Sequence, residues 1–256
     1  MLLFCIWLVS PIFSNDISLN DNRYFIAHAC GEIDGHDYTN SQEAILRSLA
    51  KGYKYIEIDL GLTKDSILVC YHDVRQFNEM TNMPKDSLDI IPTKEEFINR
   101  RIAGRYTPMT FEQAKAIWEK DSFILVIDKI SDPKILNKYI KKNRHYVMVE
   151  AFSLEDYFIL KRDGYVPMLS LGALSLRGEC GLYNFFKKRR LIGMNIDWVV
   201  LDINRSNHII IRIFKRLFGI KVAMYSSNST EYFTKHLGRE VDLIYTDKWK
   251  RQEIKQ

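Results

Sequence analysis

The chain has 256 residues, of which 46% are hydrophobic, 12% aromatic and 27% charged. It is too apolar and aromatic for intrinsic disorder, and with 12 Gly and 6 Pro it is neither collagen-like nor low in complexity. Four Cys cannot staple a miniprotein of this size, and 37 basic against 32 acidic residues (net +5) require no nucleic-acid partner but suit an anionic substrate or surface.

In chain order, Leu2–Phe13 (LLFCIWLVSPIF) is an apolar run of about 12 residues, short of the roughly 20 a spanning helix needs. With the polar Ser14-Asn15-Asp16 behind it, it reads as a signal-peptide centre or a short anchor over residues 1–22, although the usual basic start and small-x-small site are missing. The expectation is export or membrane attachment, with a cytoplasmic location as the alternative. Residues 23–256 read as one domain, without repeat or linker.

Strand-like runs follow at Tyr24–Ala27, Tyr55–Leu60, Ile67–Tyr71, Phe123–Asp128, Tyr146–Ala151, Val166–Leu171, Trp198–Asp202, Lys221–Tyr225 and Leu243–Thr246. Helical spacing of apolar residues marks Ser41–Lys51, Thr110–Lys120, Pro133–Lys142, Ser153–Arg162, His208–Phe218 and Thr230–Leu237. Thr110 with Gln113 and Ser153 with Asp156 are cap signals. Ile67–Tyr71 follows its predecessor after only Thr63-Lys64-Asp65-Ser66, which leaves no room for a crossover helix. It is therefore an appended hairpin strand, followed by a short insertion. The eight remaining strands predict a (β/α)8 TIM barrel of the α/β class, with a doubly wound open sheet as the rival.

Barrel chemistry sits at the C-terminal ends of the strands. His28 ends the first strand, and Glu57 and Asp59, two residues apart, share one face of the second. Converging carboxylates favour a hard cation with oxygen ligands. Asp128 at the next strand end completes such a cluster, and His72 follows the hairpin strand. Each residue also has an ordinary reading: a hydrogen-bonded structural His, a solvated strand end, or, for Asp128, a cap on the helix near Pro133. Their order and spacing together carry more weight than any one of them.

His28-Ala29-Cys30-Gly31, Asn40-Ser41, Glu57-Ile58-Asp59, Thr63-Lys64-Asp65 and His72-Asp73 resemble the signature of the glycerophosphodiester phosphodiesterase family, within the PI-PLC-like phosphodiesterases. That signature runs His-Arg-Gly, Glu-Asn-Thr, Glu-x-Asp, Thr-x-Asp-Gly, His-Asp. Thr107-Pro108-Met109-Thr110, Ala151-Phe152-Ser153, Tyr225-Ser226-Ser227-Asn228 and Thr246-Asp247 continue the likeness. The resemblance implies a barrel phosphodiesterase with one divalent cation, Ca²⁺ or Mg²⁺. It implies Glu57, Asp59 and Asp128 as metal ligands and His28 and His72 as the acid–base pair.

Three departures stand out. Ala29 replaces the family's Arg, Thr39 its Glu, and Asp128-Lys129-Ile130 its Glu-x-Lys. Asp128 and Lys129 cannot face the same way along one strand; Lys129 reaches the site only if the strand ends at Asp128. Lys129 and Glu150 are candidate substrate contacts, and Arg100, Arg101 or Arg105 of the insertion is a candidate replacement cation. Cys30 and Cys70 are compatible with a disulfide or with buried packing. The implied function is metal-dependent hydrolysis of a small-molecule glycerophosphodiester or lysolipid-like ester. The alternatives are a phospholipase C- or D-like lyase at a membrane surface, favoured by Lys187-Lys188-Arg189-Arg190, and a weakly catalytic barrel binding phosphate esters or envelope glycans.

Overall fold

Residues that are buried on both faces of a strand favour parallel sheets, and here the apolar runs pair in chain order until the last meets the first. The computed structural model describes residues 22–171 and 195–248. Its strands are β1 (Phe25–Ala27), β2 (Tyr55–Leu62), β3 (Leu68–Cys70), β4 (Ile124–Asp128), β5 (Val147–Ala151), β6 (Val166–Ser170), β7 (Trp198–Asp202), β8 (Lys221–Tyr225) and β9 (Leu243–Thr246). Eight of them run parallel in the order β1-β9-β8-β7-β6-β5-β4-β2, and β1 pairs with β2 to close the ring. β3 lies outside, antiparallel to β2, with Leu60 opposite Cys70. This is the expected (β/α)8 barrel with an appended hairpin strand; the β1–β2 closure excludes the open sheet.

Alternation along the strands sorts their residues into two layers. Ile26, Val126, Met148, Met168, Val200, Ala223 and Leu243 fill the barrel interior. Their neighbours, among them Ala27, Ile58, Ile127 and Val149, face outward into a second cluster beneath the helices. Two residues beyond the interior layer, the same strands carry His28, Asp128, Glu150, Ser170, Asp202, Tyr225 and Tyr245. An apolar floor thus gives way to a polar mouth within one strand period.

The helices start where the cap signals lie. Ser41 caps α1 (Gln42–Lys51) by accepting from Ala44 N, and Gly52 closes it in the left-handed region at φ 86°. After β3 come α2 (Val74–Met80) and α3 (Lys94–Asn99), then α4 (Phe111–Asp121), whose Thr110 and Gln113 form a reciprocal capping box. α5 (Pro133–Tyr139) is capped by Asp132, not Asp128, and ends before the expected Lys142 because Ile140 turns extended and is fully buried. α6 (Leu154–Arg162) is capped by Ser153, while α7 (His208–Phe218) and α8 (Thr230–His236) flank β8.

The insertion folds onto the hairpin rather than across the mouth. Phe77 and Phe97 stack at 4.4 Å, with Tyr71 tilted against both. Gly61 admits the Tyr71 ring; a Cβ there would collide with it. Buried Asn78 donates to the carbonyls of Ser87, Leu88 and Ile90 at 2.8–3.2 Å. Arg100 donates to Asn78 Oδ1 at 2.6 Å and lies over the Phe77 ring, Arg101 donates to the Arg100 carbonyl, and Arg105 pairs with Asp34 at 3.1 Å. Their partners thus lie in the insertion and its surroundings.

Cys30 and Cys70 are buried free thiols, so the disulfide option is not realised. Burial pushes both thiols up, and neighbouring acidic groups add to the effect. The expected leader, Cys5, Cys180 and Lys187-Lys188-Arg189-Arg190 lie outside the described residues. No helix among the described residues is long and apolar enough to cross a membrane.

Candidate active site

The carboxylates at the mouth are placed by strand register. Asp59 of β2 is the lateral partner of Asp128 of β4, and Glu57 lies one inward position below Asp59. Donor atoms of Glu57, Asp59 and Asp128 lie within 4.8 Å of one another. Burial pushes the Glu57 and Asp59 carboxyls up, and repulsion from neighbouring carboxylates, Asp128 among them, adds to it. The protein opposes this only in part. Ala29 N–H donates to Glu57 Oε2 at 2.5 Å, and Asn40 clamps Asp59, donating from Nδ2 to Oδ2 at 2.9 Å and accepting at Oδ1 from Asp59 N at 3.0 Å.

Glu57 Oε1 is buried and has no hydrogen-bond partner. An orphaned buried oxygen in a three-carboxylate cluster fits a divalent cation with oxygen ligands, which would satisfy the lone pair and reverse the repulsion. The turn that supplies the Ala29 amide is tight: Ala29, Cys30 and Gly31 lie at φ 46°, 69° and 85°. Gly31 is required there, because a Cβ would come within 2.5 Å of Ser48 Oγ, which donates to the Cys30 carbonyl. The position of the family's arginine is therefore a buried alanine whose backbone, not its side chain, serves the cluster.

Each histidine is held at Nδ1 by a carboxylate. His28 Nδ1 is 3.0 Å from Asp247 Oδ1, and His72 Nδ1 is 2.9 Å from Asp73 Oδ2. An ionised carboxylate only accepts, so each Nδ1 carries the proton and each Nε2 is left to exchange one. Asp247 is held in turn by Asn228, which donates from Nδ2 to Oδ2 at 3.1 Å and accepts from Asp247 N at 2.9 Å. Burial alone would raise the Asp247 carboxyl, but its hydrogen bonds and the His28 charge outweigh burial and hold it below its ordinary value. Between the two imidazoles stands Tyr38, its ring centroid 4.7 Å from that of His28 and 5.1 Å from that of His72. Burial and nearby carboxylates push the Tyr38 hydroxyl up to about 12, so it stays protonated.

His28, Tyr38, His72 and Asp128 line a cavity of about 350 Å³ with Lys129, Glu150, Phe152, Ser170 and Tyr225. β4 ends at Asp128 and Lys129 adopts φ 68°, which frees it from strand alternation; its Nζ lies 3.6 Å from Asp128 Oδ2. Burial alone would lower the Lys129 ammonium, but the surrounding carboxylates outweigh it and raise the group, so it stays charged. Burial and Asp128 raise Glu150 to about 8, against which Ser170 donates a hydrogen bond. At the other departure, buried Thr39 contacts Ser41 Oγ at 3.1 Å. No residue of 75–105 lines the cavity. The structure thus brings together His28, His72, Glu57, Asp59, Asp128, Lys129 and Glu150. Sequence reasoning gave no role to Tyr38, Asn40, Asn228 or Asp247, although three of them sit inside the quoted motifs; Tyr38 had no signal beyond standing beside Thr39.

A family model described as "Glycerophosphoryl diester phosphodiesterase family" matches residues 34–164, a little over half of the chain. A search of curated proteins finds no match. Among solved structures, a Parabacteroides distasonis glycerophosphoryl diester phosphodiesterase is 20% identical (TM-score 0.64, covering 93% of this chain and 85% of that one). An Agrobacterium tumefaciens glycerophosphodiester phosphodiesterase is 15% identical (TM-score 0.60, 88% and 96%). An Oleispira antarctica phosphodiesterase in complex with the product sn-glycerol-3-phosphate is 14% identical (TM-score 0.65, 88% and 92%). The structures share the barrel; the family model extends the agreement to sequence, and the chain belongs to the glycerophosphoryl diester phosphodiesterase family, as a phosphodiesterase.

Proposed function

We propose that the protein hydrolyses a glycerophosphodiester or lysolipid-like ester, with His28 and His72 as the acid–base pair and one divalent cation, Ca²⁺ or Mg²⁺, held by Glu57, Asp59 and Asp128. The observation that carries this reading is the mouth: two carboxylate-anchored imidazoles flank Tyr38 and line one cavity with Asp128, whose carboxylate clusters with the buried Glu57 and Asp59. A bound divalent cation supplies neutralisation of the non-bridging phosphate oxygens and Lewis-acid polarisation. The chain's own residues supply the rest. One imidazole Nε2 accepts the proton of the attacking hydroxyl, and the other donates to the leaving alkoxide; positioned acid–base catalysis of this kind contributes about 10²–10⁴-fold. Tyr38 separates the two rings, so they address different oxygens. Lys129 holds a positive charge at the cavity wall for the phosphate, offsetting the arginine that Ala29 lacks. The product-bound Oleispira antarctica relative supports a glycerol phosphate product here.

The test is turnover of a panel of glycerophosphodiesters and lysolipids with Ca²⁺, Mg²⁺ or EDTA, beside His28→Ala and Glu57→Gln. Loss of about 100-fold or more in both variants, and on chelation, is expected. Equal turnover in wild type and variants, or indifference to EDTA, overturns the reading. A cyclic phosphate product identifies the substrate's own hydroxyl as the nucleophile, the lyase route; binding without turnover favours the binding barrel.

A further inference from the structure

A second polar cluster lies away from the mouth, between the start of α7 and the end of α8. His208 is the first residue of α7, His236 the last of α8, and Glu240 follows in the turn before β9. Glu240 is fully buried. Its Oε2 accepts from Arg212 at 3.0 Å, which turns Oε1 toward the histidines. Oε1 lies 2.5 Å from His236 Nδ1 and 3.2 Å from His208 Nδ1, and the two imidazoles stack at 4.0 Å. None of these residues lines the cavity at the mouth.

One buried ring nitrogen of this cluster is left without a hydrogen-bond partner. Tyr232 Oη donates to Met224 Sδ at 3.3 Å and lies 3.4 Å from His208 Nε2. His208 Nδ1 is buried and makes no hydrogen bond, and it faces a carboxylate oxygen. An unpartnered buried nitrogen beside a carboxylate oxygen, with a second imidazole stacked on it, is a donor set that one shared cation would satisfy. The three donor atoms lie within 4.8 Å of one another, close enough that small side-chain rotations bring them to bonds of about 2.0–2.2 Å on one ion.

We propose that His208 Nδ1, His236 Nδ1 and Glu240 Oε1 form a binding site for a borderline divalent transition ion, Zn²⁺ foremost, with a fourth position open to solvent. Two imidazoles and one carboxylate suit Zn²⁺ and disfavour Ca²⁺ and Mg²⁺, which take oxygen ligands. Arg212 on Glu240 and Tyr232 on His208 are the outer partners that such ligands need to hold their orientation. Binding breaks the His236 Nδ1···Glu240 contact, and whatever proton either ligating Nδ1 carries moves to the far ring nitrogen or to solvent. The partly exposed His208 side chain is the way in. The ion would tie α7 to α8.

The experiment titrates Zn²⁺, and Co²⁺ as a spectroscopic probe, into the full chain in excess Mg²⁺, which occupies hard oxygen sites. Wild type and Glu57→Gln are expected to bind one equivalent, with visible Co²⁺ bands and a Zn²⁺-dependent rise in Tm. His208→Ala, at a partly exposed helix start that tolerates it, and the conservative Glu240→Gln are expected to lose tenfold or more in affinity. Absence of the equivalent in wild type overturns the proposal. So does its retention, or a retained Zn²⁺-dependent Tm rise, in His208→Ala and Glu240→Gln, or its loss only in Glu57→Gln.

Discussion

In the proposed mechanism His28 depends on the group that aims it. Asp247 fixes the His28 tautomer from 219 residues away, and Asn228 fixes Asp247. Asp247→Asn is expected to lower kcat by about 10²-fold or more with little change in KM, because the misoriented imidazole still leaves the phosphate contacts intact. Turnover within threefold of wild type would remove Asp247 from the positioning role. Lys129 acts differently, as a charge beside the carboxylates at the cavity wall. Lys129→Met should raise KM about tenfold, in line with a charge-assisted phosphate contact of about 1.5 kcal/mol, while kcat changes less. A kcat effect that exceeds the KM effect would place Lys129 in the chemistry itself. At this scale the sequence was informative wherever chemistry and spacing coincide. Glu57 and Asp59 share a strand face because side chains alternate, so their convergence was legible. Asn40 and Asp247 were visible as motif letters, but their partners were not, since a hydrogen bond across the fold leaves no local pattern.

Helix starts were legible for a related reason: a cap satisfies orphan amides within three residues, so Thr110 and Ser153 announced α4 and α6. The insertion was not. Its geometry depends on Asn78 reaching three carbonyls in 87–90, and on Phe77 meeting Phe97 across 20 residues of chain. Asn78→Ala strands those carbonyls and is expected to destabilise by about 1–3 kcal/mol and to speed proteolytic cleavage within 82–93. Because no insertion residue lines the cavity, kcat/KM should stay near the wild-type value in folded protein. Denaturant unfolding, limited proteolysis and a turnover assay check this together; a large kcat/KM loss without destabilisation would show that the insertion serves the site directly.

Across the whole molecule, the raised carboxyls at the mouth are expected to make stability depend on pH and, in the proposed mechanism, on metal. Glu150 is raised from 4.5 to about 8, and Glu57 and Asp59 are raised, by burial first and repulsion second. A carboxyl whose folded value exceeds its unfolded value binds its proton more tightly when folded, so stability falls as pH rises between the two. Asp247 is shifted the other way, but its contribution is already complete above the ordinary carboxylate range. In EDTA, Tm is therefore expected to fall from about pH 5 to pH 8, and saturating Ca²⁺ or Mg²⁺ should flatten that slope. Identical slopes with and without the cation would contradict the carboxylate cluster as its site. Periodicity by itself determined the barrel's parts: apolar runs of strand length, capped helices between them, and a hairpin too tightly linked for a crossover. Ring closure decided the rest. Only the β1–β2 pairing sets the Ala29 amide on Glu57, and only the β1–β9 pairing brings His28 to Asp247. Strand and helix periods are written in neighbouring residues, whereas contacts between the two ends of the chain exist only once the sheet has closed on itself.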